Sequence, residues 1–189
     1  MKLIATPLPG LLVVEPQVFR DERGFFLETW QAPRFTAGGI SAAFQQDSHS
    51  RSVRGVLRGL HFTVRRPQAQ LVYVSHGEIF DVAVDLRRDS PTFGRWHGVT
   101  LSDTLPRLLF LPPGFAHGFL VLSETVNVHY KATHTYDPTD EHGVLWSDPH
   151  IGVEWPLHGS VPLVKERDAT FPRLADLPPD RLPNVDFVP

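Results

Sequence analysis

An arginine and a histidine lie among apolar residues in RGVLRGLHF, residues 54–62, a stretch that otherwise has the composition of a buried strand. Arg58 carries a planar, permanently charged group that suits bidentate phosphate binding. His61 carries an imidazole, the side chain whose ordinary pKa lies nearest to the pH at which a general base works. The two residue types therefore indicate proton transfer beside an anionic ligand. In the alternative interpretation, His61 is a hydrogen-bonded core histidine and Arg58 reaches solvent from the rim of a barrel.

A glycine between these residues determines whether their side chains can meet. Side chains alternate along a regular strand, so Arg58 and His61 would point to opposite faces. Gly59 can adopt backbone angles that are closed to other residues, and a β-bulge at this position would rotate the chain. We therefore predict a bulge at Gly59 that turns both side chains toward one cavity.

Short apolar or alternating segments, separated by Gly, Pro, Asp and Ser, make up most of the chain, and helical periodicity is scarce. This pattern predicts an all-β antiparallel fold of the double-sheet jelly-roll type. Residues 70–86 form the clearest predicted hairpin, with its turn at His76 and Gly77 and with Asp81 and Asp85 on the face opposite the apolar one. Further strands are predicted at residues 11–19, 94–101, 107–111, 115–122 and 125–133.

The chain contains no domain-sized linker and no internal repeat, so we predict that residues 1–175 form a single domain. One or two short helices are expected near Ala32–Ala37. Residues 176–189 are rich in proline, which is excluded from helix interiors and central strands. We therefore predict an extended tail on the surface of the domain.

Composition restricts the chemistry that the chain can perform. The absence of cysteine excludes disulfides, Cys-ligated zinc, iron–sulfur clusters and thiol nucleophiles. The net charge of -3, without a block of basic residues, argues against nucleic-acid binding. No run of eighteen apolar residues occurs, and Pro7 and Pro9 interrupt the first apolar stretch, so we expect neither a membrane span nor a signal peptide. A cytoplasmic location is the resulting expectation.

Five segments occur in the order QDSHSRSVRGVLRGLHF, GEIFDVAVDLRRDSPTFGRWHGVTLS, FLPPGFAHGFLVLSE, HYK and HGVLWSDPHIGVEWP. Together they resemble the dTDP-4-dehydrorhamnose 3,5-epimerase family, over about residues 11–168. The resemblance implies a cupin jelly roll, which is a double-stranded antiparallel β-helix, acting as a homodimer without metal or other cofactor. It also implies epimerisation, at C3, C5 or both, of a nucleotide-linked 4-keto-6-deoxy sugar, with dTDP-4-dehydro-6-deoxy-glucose as the expected substrate.

The resemblance assigns catalytic roles to three residues. His61 matches the family's base, Asp168 matches the carboxylate paired with that base, and Tyr130 matches the acid on the other face of the sugar. The chemistry is consistent, because a proton beside a ketone is weakly acidic and inversion requires a second proton from the opposite face. A carboxylate bound to one imidazole nitrogen fixes the tautomer and favours proton uptake by the other.

The resemblance also assigns ligand contacts. Some of the matching residues line the sugar and diphosphate site, and the rest contact the nucleotide. Two of the latter, Arg23 and Glu28, are expected to reach into the site of the partner subunit. The substrate-binding residues implied in this way are Arg23, Glu28, Gln46, Asp47, Ser48, Arg58, Gln70, His117 and Glu141. Phe25 or Phe26 is a candidate to stack on the base, with a core role as the alternative.

Two positions depart from the family pattern. The family usually has QAKLV where this chain has QAQLV, so Gln70 replaces a lysine near the keto oxygen of the sugar. An uncharged donor stabilises an oxyanion less than a charged one. Ser48 replaces the usual asparagine of QDNHS beside the nucleotide. These changes leave open epimerisation at one carbon only and a CDP- or GDP-linked sugar as alternatives.

Two other function classes remain as alternatives. A metal-dependent cupin is suggested by the ten histidines, although no His-x-His spacing occurs. A non-catalytic nucleotide-sugar binder is suggested by Gln70, if this replacement marks lost turnover. Exchange of a sugar hydrogen with solvent deuterium distinguishes an epimerase from a binder.

Overall fold

The computed structural model describes residues 1–185. The strands in chain order are β1 Lys2–Ala5, β2 Leu12–Glu15, β3 Val18–Asp21, β4 Gly24–Leu27, β5 Gln46–Val53, β6 Val56–Thr63, β7 Gln70–His76, β8 Glu78–Asp85, β9 Trp96–Ser102, β10 Leu108–Leu111, β11 Phe115–Val121, β12 Thr125–Ala132, β13 Glu141–Gly143 and β14 Leu163–Val164. The helices are α1 Ala32–Ala37 and α2 Glu166–Ala169, followed by 3-10 turns at Leu174–Asp176 and Pro179–Arg181.

Two main sheets form the body of the protein. The first has the order β1-β2-β10-β7-β12-β5, and the second has the order β13-β6-β11-β8-β9, with β14 added in parallel to β6. Strands β3 and β4 form a separate two-stranded ribbon. All other pairs are antiparallel. The predicted all-β jelly roll of the cupin type is thus confirmed.

The main core lies between the inner faces of the two sheets. It joins Val72 and Val128 of the first sheet to Ile79, Ala83 and Phe119 of the second. Because successive side chains of a strand point to opposite faces, the outer faces need separate cover. Helix α1 supplies part of that cover, since its Phe35 packs on the outer face of the first sheet.

The predicted hairpin at residues 70–86 is wrong, although both of its strands exist. Strand β7 pairs with β10 and β12 in the first sheet, whereas β8 pairs with β9 and β11 in the second. Gly77, at φ +81°, turns the chain from one sheet to the other, and a Cβ there would lie 2.2 Å from the Thr125 carbonyl oxygen. Both faces of β8 are therefore buried, and Asp81 and Asp85 are fully buried with them.

Two further strand predictions need correction. The predicted strand 11–19 is two strands, because Pro16 follows β2 and lacks the N–H that a continuing ladder needs. Five strands were not predicted: β1, β4, β5, β13 and β14. The longest of them, β5 Gln46–Val53, was missed because its polar sequence lacks the apolar alternation of a half-buried strand. The other predicted strands and the helix Ala32–Ala37 are found within two residues of their expected bounds.

The beginning of the predicted tail packs against the domain. Leu182 is 8% exposed, and the amide of Asn184 donates a hydrogen bond to the Val64 carbonyl at 2.9 Å. Residues 186–189 lie outside the described part of the chain. The division into a domain of residues 1–175 and a tail of residues 176–189 stays a prediction.

The bulge predicted at Gly59 is present. His117 of β11 lies opposite His61 and Phe119 lies opposite Arg58, so three steps along β6 correspond to two along β11. Gly59 has φ +116°, and a Cβ on it would lie 2.5 Å from the Cα of Gly118. The extra residue brings Arg58 and His61 to the same pocket.

We expect Gly59→Ala to reduce the free energy of unfolding by at least about 2 kcal/mol, because the new Cβ meets the backbone of β11 and the backbone conformation disfavours a side chain. Gly39→Ala is the matched control, since Gly39 also has a positive φ of +97° but nothing lies within 4 Å of its Cβ position. It should cost about 1 kcal/mol from backbone strain alone. Urea unfolding measures both values, and equal losses would contradict the close approach of the two strands.

Candidate functional site

A pocket of about 420 Å³ is lined by residues of both main sheets. Its walls come from the inner faces of β5, β6, β7, β11 and β12, together with residues 134–141. Polar and ionisable side chains converge in it, as is typical of a ligand site in a β-sandwich or barrel. The predicted site residues that line it are Gln46, Ser48, Arg58, His61, Gln70, His117, Tyr130 and Glu141.

His61 and Asp168, distant in sequence, meet at this pocket. Nε2 of His61 lies 2.9 Å from Oδ2 of Asp168, and the imidazole is 27% exposed. The same carboxylate oxygen accepts the Gly59 amide at 3.2 Å, while Arg167 Nε donates to Oδ1 at 3.1 Å. Burial works against ionisation of Asp168, but these donors outweigh it and lower its pKa. A carboxylate therefore fixes one imidazole nitrogen and leaves Nδ1 for proton transfer.

Arg167 is a site residue that the sequence did not reveal. Its Nη1 donates to Oε2 of Glu141, and its Nη2 lies 3.2 Å from Nε2 of His61. Its guanidinium also lies over the Phe171 ring, 5.6 Å from the centroid. The only sequence clue was its position immediately before Asp168 in KERD, and the spacing does not indicate that it bridges to β13.

Tyr130 enters the pocket from β12 of the first sheet. Its hydroxyl is 3.0 Å from Oγ of Ser50 on the neighbouring β5. Burial raises the pKa of Tyr130 to about 12; the Ser50 hydrogen bond and the charge of Arg58 oppose this rise, and the charge of Asp81 adds to it. The ring of His117 stands edge-on to the Tyr130 ring, with 6.2 Å between centroids. The side chain is therefore a phenol at neutral pH and can donate a proton.

A second histidine–carboxylate pair lies beside Tyr130. Nε2 of His117 is 2.8 Å from Oδ1 of Asp81, and both residues are buried. Burial raises the pKa of Asp81, and the interaction with His117 only partly opposes this rise. Asp81 was not predicted as a site residue, although its position on the face of β8 opposite the apolar one was noted. The pairing fixes the orientation of the His117 ring that lines the pocket.

Arg58 and Gln70 also line the pocket. Arg58 donates through Nε and Nη2 to Oγ of Ser52, at 3.2 and 3.0 Å. Gln70 lies at the start of β7, and its Oε1 is buried without a hydrogen-bond partner among the described residues. A cavity of about 10 Å³, lined by His61, Gln70 and His117, adjoins the main pocket. Gln70 therefore has unused hydrogen-bonding capacity beside both histidines.

The residues predicted to contact the nucleotide are only partly brought together. Gln46 donates to Ser48 at 3.0 Å and accepts the amide of Tyr136 at 2.8 Å, so it links β5 to the loop at the pocket mouth. Asp47 instead points away from the pocket and pairs with Lys131 at 2.8 Å. Alternation along β5 explains this difference, because neighbouring side chains occupy opposite faces.

Arg23 and Glu28 lie outside the pocket of their own chain. Arg23, in the turn of the β3–β4 ribbon, pairs with Asp21 at 2.5 Å, and Glu28 pairs with Arg34. The ribbon exposes its aromatic side chains, including Phe25 at 55%. The expected contact of Arg23 and Glu28 with a partner's site stays a prediction.

Among residues 1–185, no group of three or more His, Asp or Glu side chains is arranged to hold a metal ion. None of the helices in the same range has the length and apolar character that a membrane crossing requires.

Comparison with known sequences identifies a family. Residues 5–176 match the family model described as dTDP-4-dehydrorhamnose 3,5-epimerase. A curated relative of that name from Methanothermobacter thermautotrophicus is 49% identical over 178 residues, which cover 94% of this chain and 96% of the relative. Another relative of that name, from Pseudomonas aeruginosa, is 48% identical over 177 residues, which cover 93% of this chain and 97% of the relative.

Solved structures show the same similarity. A dTDP-6-deoxy-D-glucose-3,5-epimerase from Legionella pneumophila, in complex with dTDP-4-keto-L-rhamnose, superposes with a TM-score of 0.95 at 43% identity and covers 98% of this chain and 99% of its own. A 3'-monoepimerase from Streptomyces bikiniensis, in complex with dTDP-quinovose, superposes with a TM-score of 0.84 at 34% identity. The superposition covers 90% of this chain and 86% of the Streptomyces chain.

We expect the Tyr130 hydroxyl to remain protonated up to about pH 11, because burial raises its pKa to about 12. Ultraviolet titration of phenolate absorbance, compared between the wild type and Tyr130→Phe, isolates this group. Ser50→Ala should raise the pKa of Tyr130 further, since the Ser50 hydrogen bond lowers it. A Tyr130 phenolate signal already complete near pH 10 would contradict the buried environment.

Proposed function

The chain belongs to the dTDP-4-dehydrorhamnose 3,5-epimerase family, and we propose that it epimerises a dTDP-linked 4-keto-6-deoxy sugar at C3 and C5. This assigns it to the isomerases, in deoxysugar biosynthesis. The observation that carries the proposal is that His61, paired with Asp168, and Tyr130, hydrogen-bonded to Ser50, line one pocket from two facing sheets. A sugar bound between the sheets would have a base on one side and an acid on the other.

His61 is the proposed base. Its Nε2 is held by the ionised Asp168, so Nδ1 takes the proton from the carbon beside the ketone. The negative carboxylate stabilises the imidazolium that forms, which lowers the barrier to deprotonation. The C–H bond breaks, its electron pair moves into the enolate, and the negative charge develops on the C4 oxygen.

Tyr130 is the proposed acid. It donates its phenolic proton to the same carbon from the other face, which inverts the configuration and restores the ketone. Its high pKa of about 12 keeps the phenol protonated at neutral pH, and the α-carbon of a ketone is a still weaker acid, so transfer to the enolate carbon is favourable. The neighbouring Arg58 cation stabilises the phenolate that remains.

The enolate oxygen needs hydrogen-bond donors between the two proton-transfer groups. His117, oriented by Asp81, and Gln70 line this part of the pocket. Donors fixed in a buried site stabilise developing charge without reorganising during the reaction. We propose that Gln70 donates through Nε2, in place of the charged lysine that is usual in the family.

The pocket mouth suits a nucleoside diphosphate. Its cationic lining residues are Arg58, Arg66, Lys165 and Arg167, and basic side chains bind diphosphate oxygens by charge-assisted hydrogen bonds. Gln46 and Ser48, beside the Tyr136 loop, are the proposed contacts to the nucleotide. The Legionella complex with a dTDP-sugar supports dTDP over CDP or GDP.

We also propose a homodimer. The β3–β4 ribbon exposes Phe19, Phe25 and Phe26, and burial of such aromatic surface stabilises association. In this arrangement Arg23 and Glu28 would extend the partner's nucleotide site. A cytoplasmic location stays a prediction.

Replacement of the base should slow exchange strongly at both carbons. We expect His61→Asn to slow incorporation of solvent deuterium at C3 and C5 of the dTDP-4-keto sugar by about 100-fold to 10,000-fold, because general-base catalysis contributes that much. Thymidine diphosphate affinity should stay within a few-fold, since the base acts on the transition state. NMR follows deuterium incorporation, and calorimetry measures affinity.

Tyr130→Phe should impair inversion more than initial exchange, because the base remains and the new proton donor is lost. His150→Asn, at a histidine 71% exposed outside the pocket, is the matched control and should behave as wild type.

Deuterium at one carbon only would indicate a monoepimerase, as in the Streptomyces relative. Binding without exchange would indicate a non-catalytic binder, and activity that requires a metal found by elemental analysis would indicate a metal-dependent cupin.

A charged donor at position 70 should increase turnover. We expect Gln70→Lys to raise the rate of deuterium exchange by about 10-fold, because a charged hydrogen bond stabilises the enolate more than a neutral one. Gln70→Leu, which removes both hydrogen-bonding atoms, should lower the rate. Loss of activity in Gln70→Lys would contradict the interpretation that this site is a weakened form of the usual family site. It would indicate instead that the substrate sugar differs near C4.

A further inference from the structure

Arg167 occupies an unusual position between two carboxylates and the proposed base. Its three nitrogens point to different groups: Nε to Asp168, Nη1 to Glu141 and Nη2 to His61. Its side chain is 41% exposed, whereas Glu141 is 20% exposed. These contacts connect β13 to the catalytic pair through one guanidinium.

The contact between Arg167 and His61 differs from an ordinary hydrogen bond. Nε2 of His61 faces Asp168 at 2.9 Å, and a nitrogen that donates its proton to a carboxylate has no lone pair for a second donor. The guanidinium at 3.2 Å therefore acts on the imidazole mainly through its positive charge. This charge opposes protonation of His61, while the Asp168 carboxylate favours it.

Several other charged or titratable groups line the pocket around His61. They come from β5, β6, β11, β12, β13, α2 and the loops before β7 and β13, with Lys165 immediately before α2, and Asp81 lies behind His117. Glu141 and Asp168 both pair with Arg167 directly, and the Tyr136 hydroxyl also donates a hydrogen bond to Glu141. Glu141 thereby cancels part of the positive charge nearest to His61. The groups that line the pocket are His49, Arg58, Arg66, His117, Tyr130, His134, Tyr136, Asp137, Asp140, Glu141, Lys165 and Arg167, and Asp168 contacts His61.

We propose that Arg167 and Glu141 are a pair of positioning residues that set how readily His61 takes up a proton. Arg167 holds Oδ1 of Asp168 and opposes the imidazolium, and Glu141 limits that opposition by balancing the guanidinium charge. The inference rests on His61 being the base of the proposed epimerase. The inference gives Glu141 a role other than ligand contact. Without its Arg167 partner, the Glu141 carboxylate at the mouth of the pocket would repel a diphosphate.

Chemical modification tests the pair without any sugar substrate. Diethyl pyrocarbonate acylates neutral imidazole and spares imidazolium, so its rate of reaction with His61 reports protonation. Cleavage by trypsin after Arg58 and Arg65 gives the peptide GLHFTVR, in which His61 is the only histidine. Mass spectrometry of this peptide, from intact enzyme modified over a range of pH, gives the midpoint of the protonation curve.

The two neutralising variants should move this midpoint in opposite directions. Arg167→Gln removes a cation, so the midpoint should rise by about half a pH unit at low salt, as expected for partly exposed charges. Glu141→Gln leaves the guanidinium unbalanced, so the midpoint should fall by a similar amount. Arg167→Lys keeps the charge and should restore a value near that of the wild type. High salt should reduce both shifts.

Arg107 and Glu15 provide the matched control. They form an ion pair of 2.8 Å with exposures of 32% and 31%, outside the pocket. Arg107→Gln and Glu15→Gln change the net charge of the protein equally but should leave the His61 midpoint unchanged. Shifts of the same sign in Arg167→Gln and Glu141→Gln, or shifts no larger than in these controls, would overturn the proposal.

The pH dependence of deuterium exchange provides a second readout. If His61 is the base, the acid limb of the kcat-against-pH profile should move to higher pH in Arg167→Gln and to lower pH in Glu141→Gln. If the His61 midpoint shifts in opposite directions in the two variants but the enzyme shows no deuterium exchange, the role of Arg167 and Glu141 is supported and the proposed epimerase function is rejected. Normal exchange without opposite shifts would reject the charge pair alone.

Discussion

The close contact of two glycines, Gly59 and Gly118, is the constraint on which the site depends. β6 and β11 approach there so closely that a Cβ on either residue would collide with the other strand. The contact accommodates one extra residue in β6, and this residue turns Arg58 and His61 to the same side. The amide of Gly59 also binds Asp168, so the bulge helps to aim the carboxylate at the imidazole.

The second feature is the division of chemistry between facing sheets. His61 belongs to β6 of the second sheet and Tyr130 to β12 of the first, so a ligand between the sheets would meet the proposed base and the proposed acid on different sides. The environments of the two groups differ in the way the proposed roles require. Asp168 is ionised by its donors beside His61, whereas burial keeps Tyr130 protonated. Inversion needs this asymmetry.

Local pattern predicted much of the fold. Alternation located most strands, and the glycine between Arg58 and His61 predicted the bulge, because backbone freedom is a property of the residue itself. Pairing of strands was not predictable in the same way. The segment 70–86 resembles a hairpin locally, but its two strands belong to different sheets. Strand β5 was missed because its inward side chains are serines that serve Tyr130 and Arg58.

The sequence alone predicted the family and the all-β class, and its resemblance to that family implied which residues are the proposed base, its carboxylate and the proposed acid. A resemblance of this kind depends only on residue types in a fixed order along the chain. Only the tertiary structure revealed that Asp81 is hydrogen-bonded to His117 and that Arg167 joins Glu141 to the His61–Asp168 pair. It also showed that Asp47 faces away from the pocket. Electrostatic partners are chosen by distance in space, and residues far apart along the chain become neighbours only when the sheets pack.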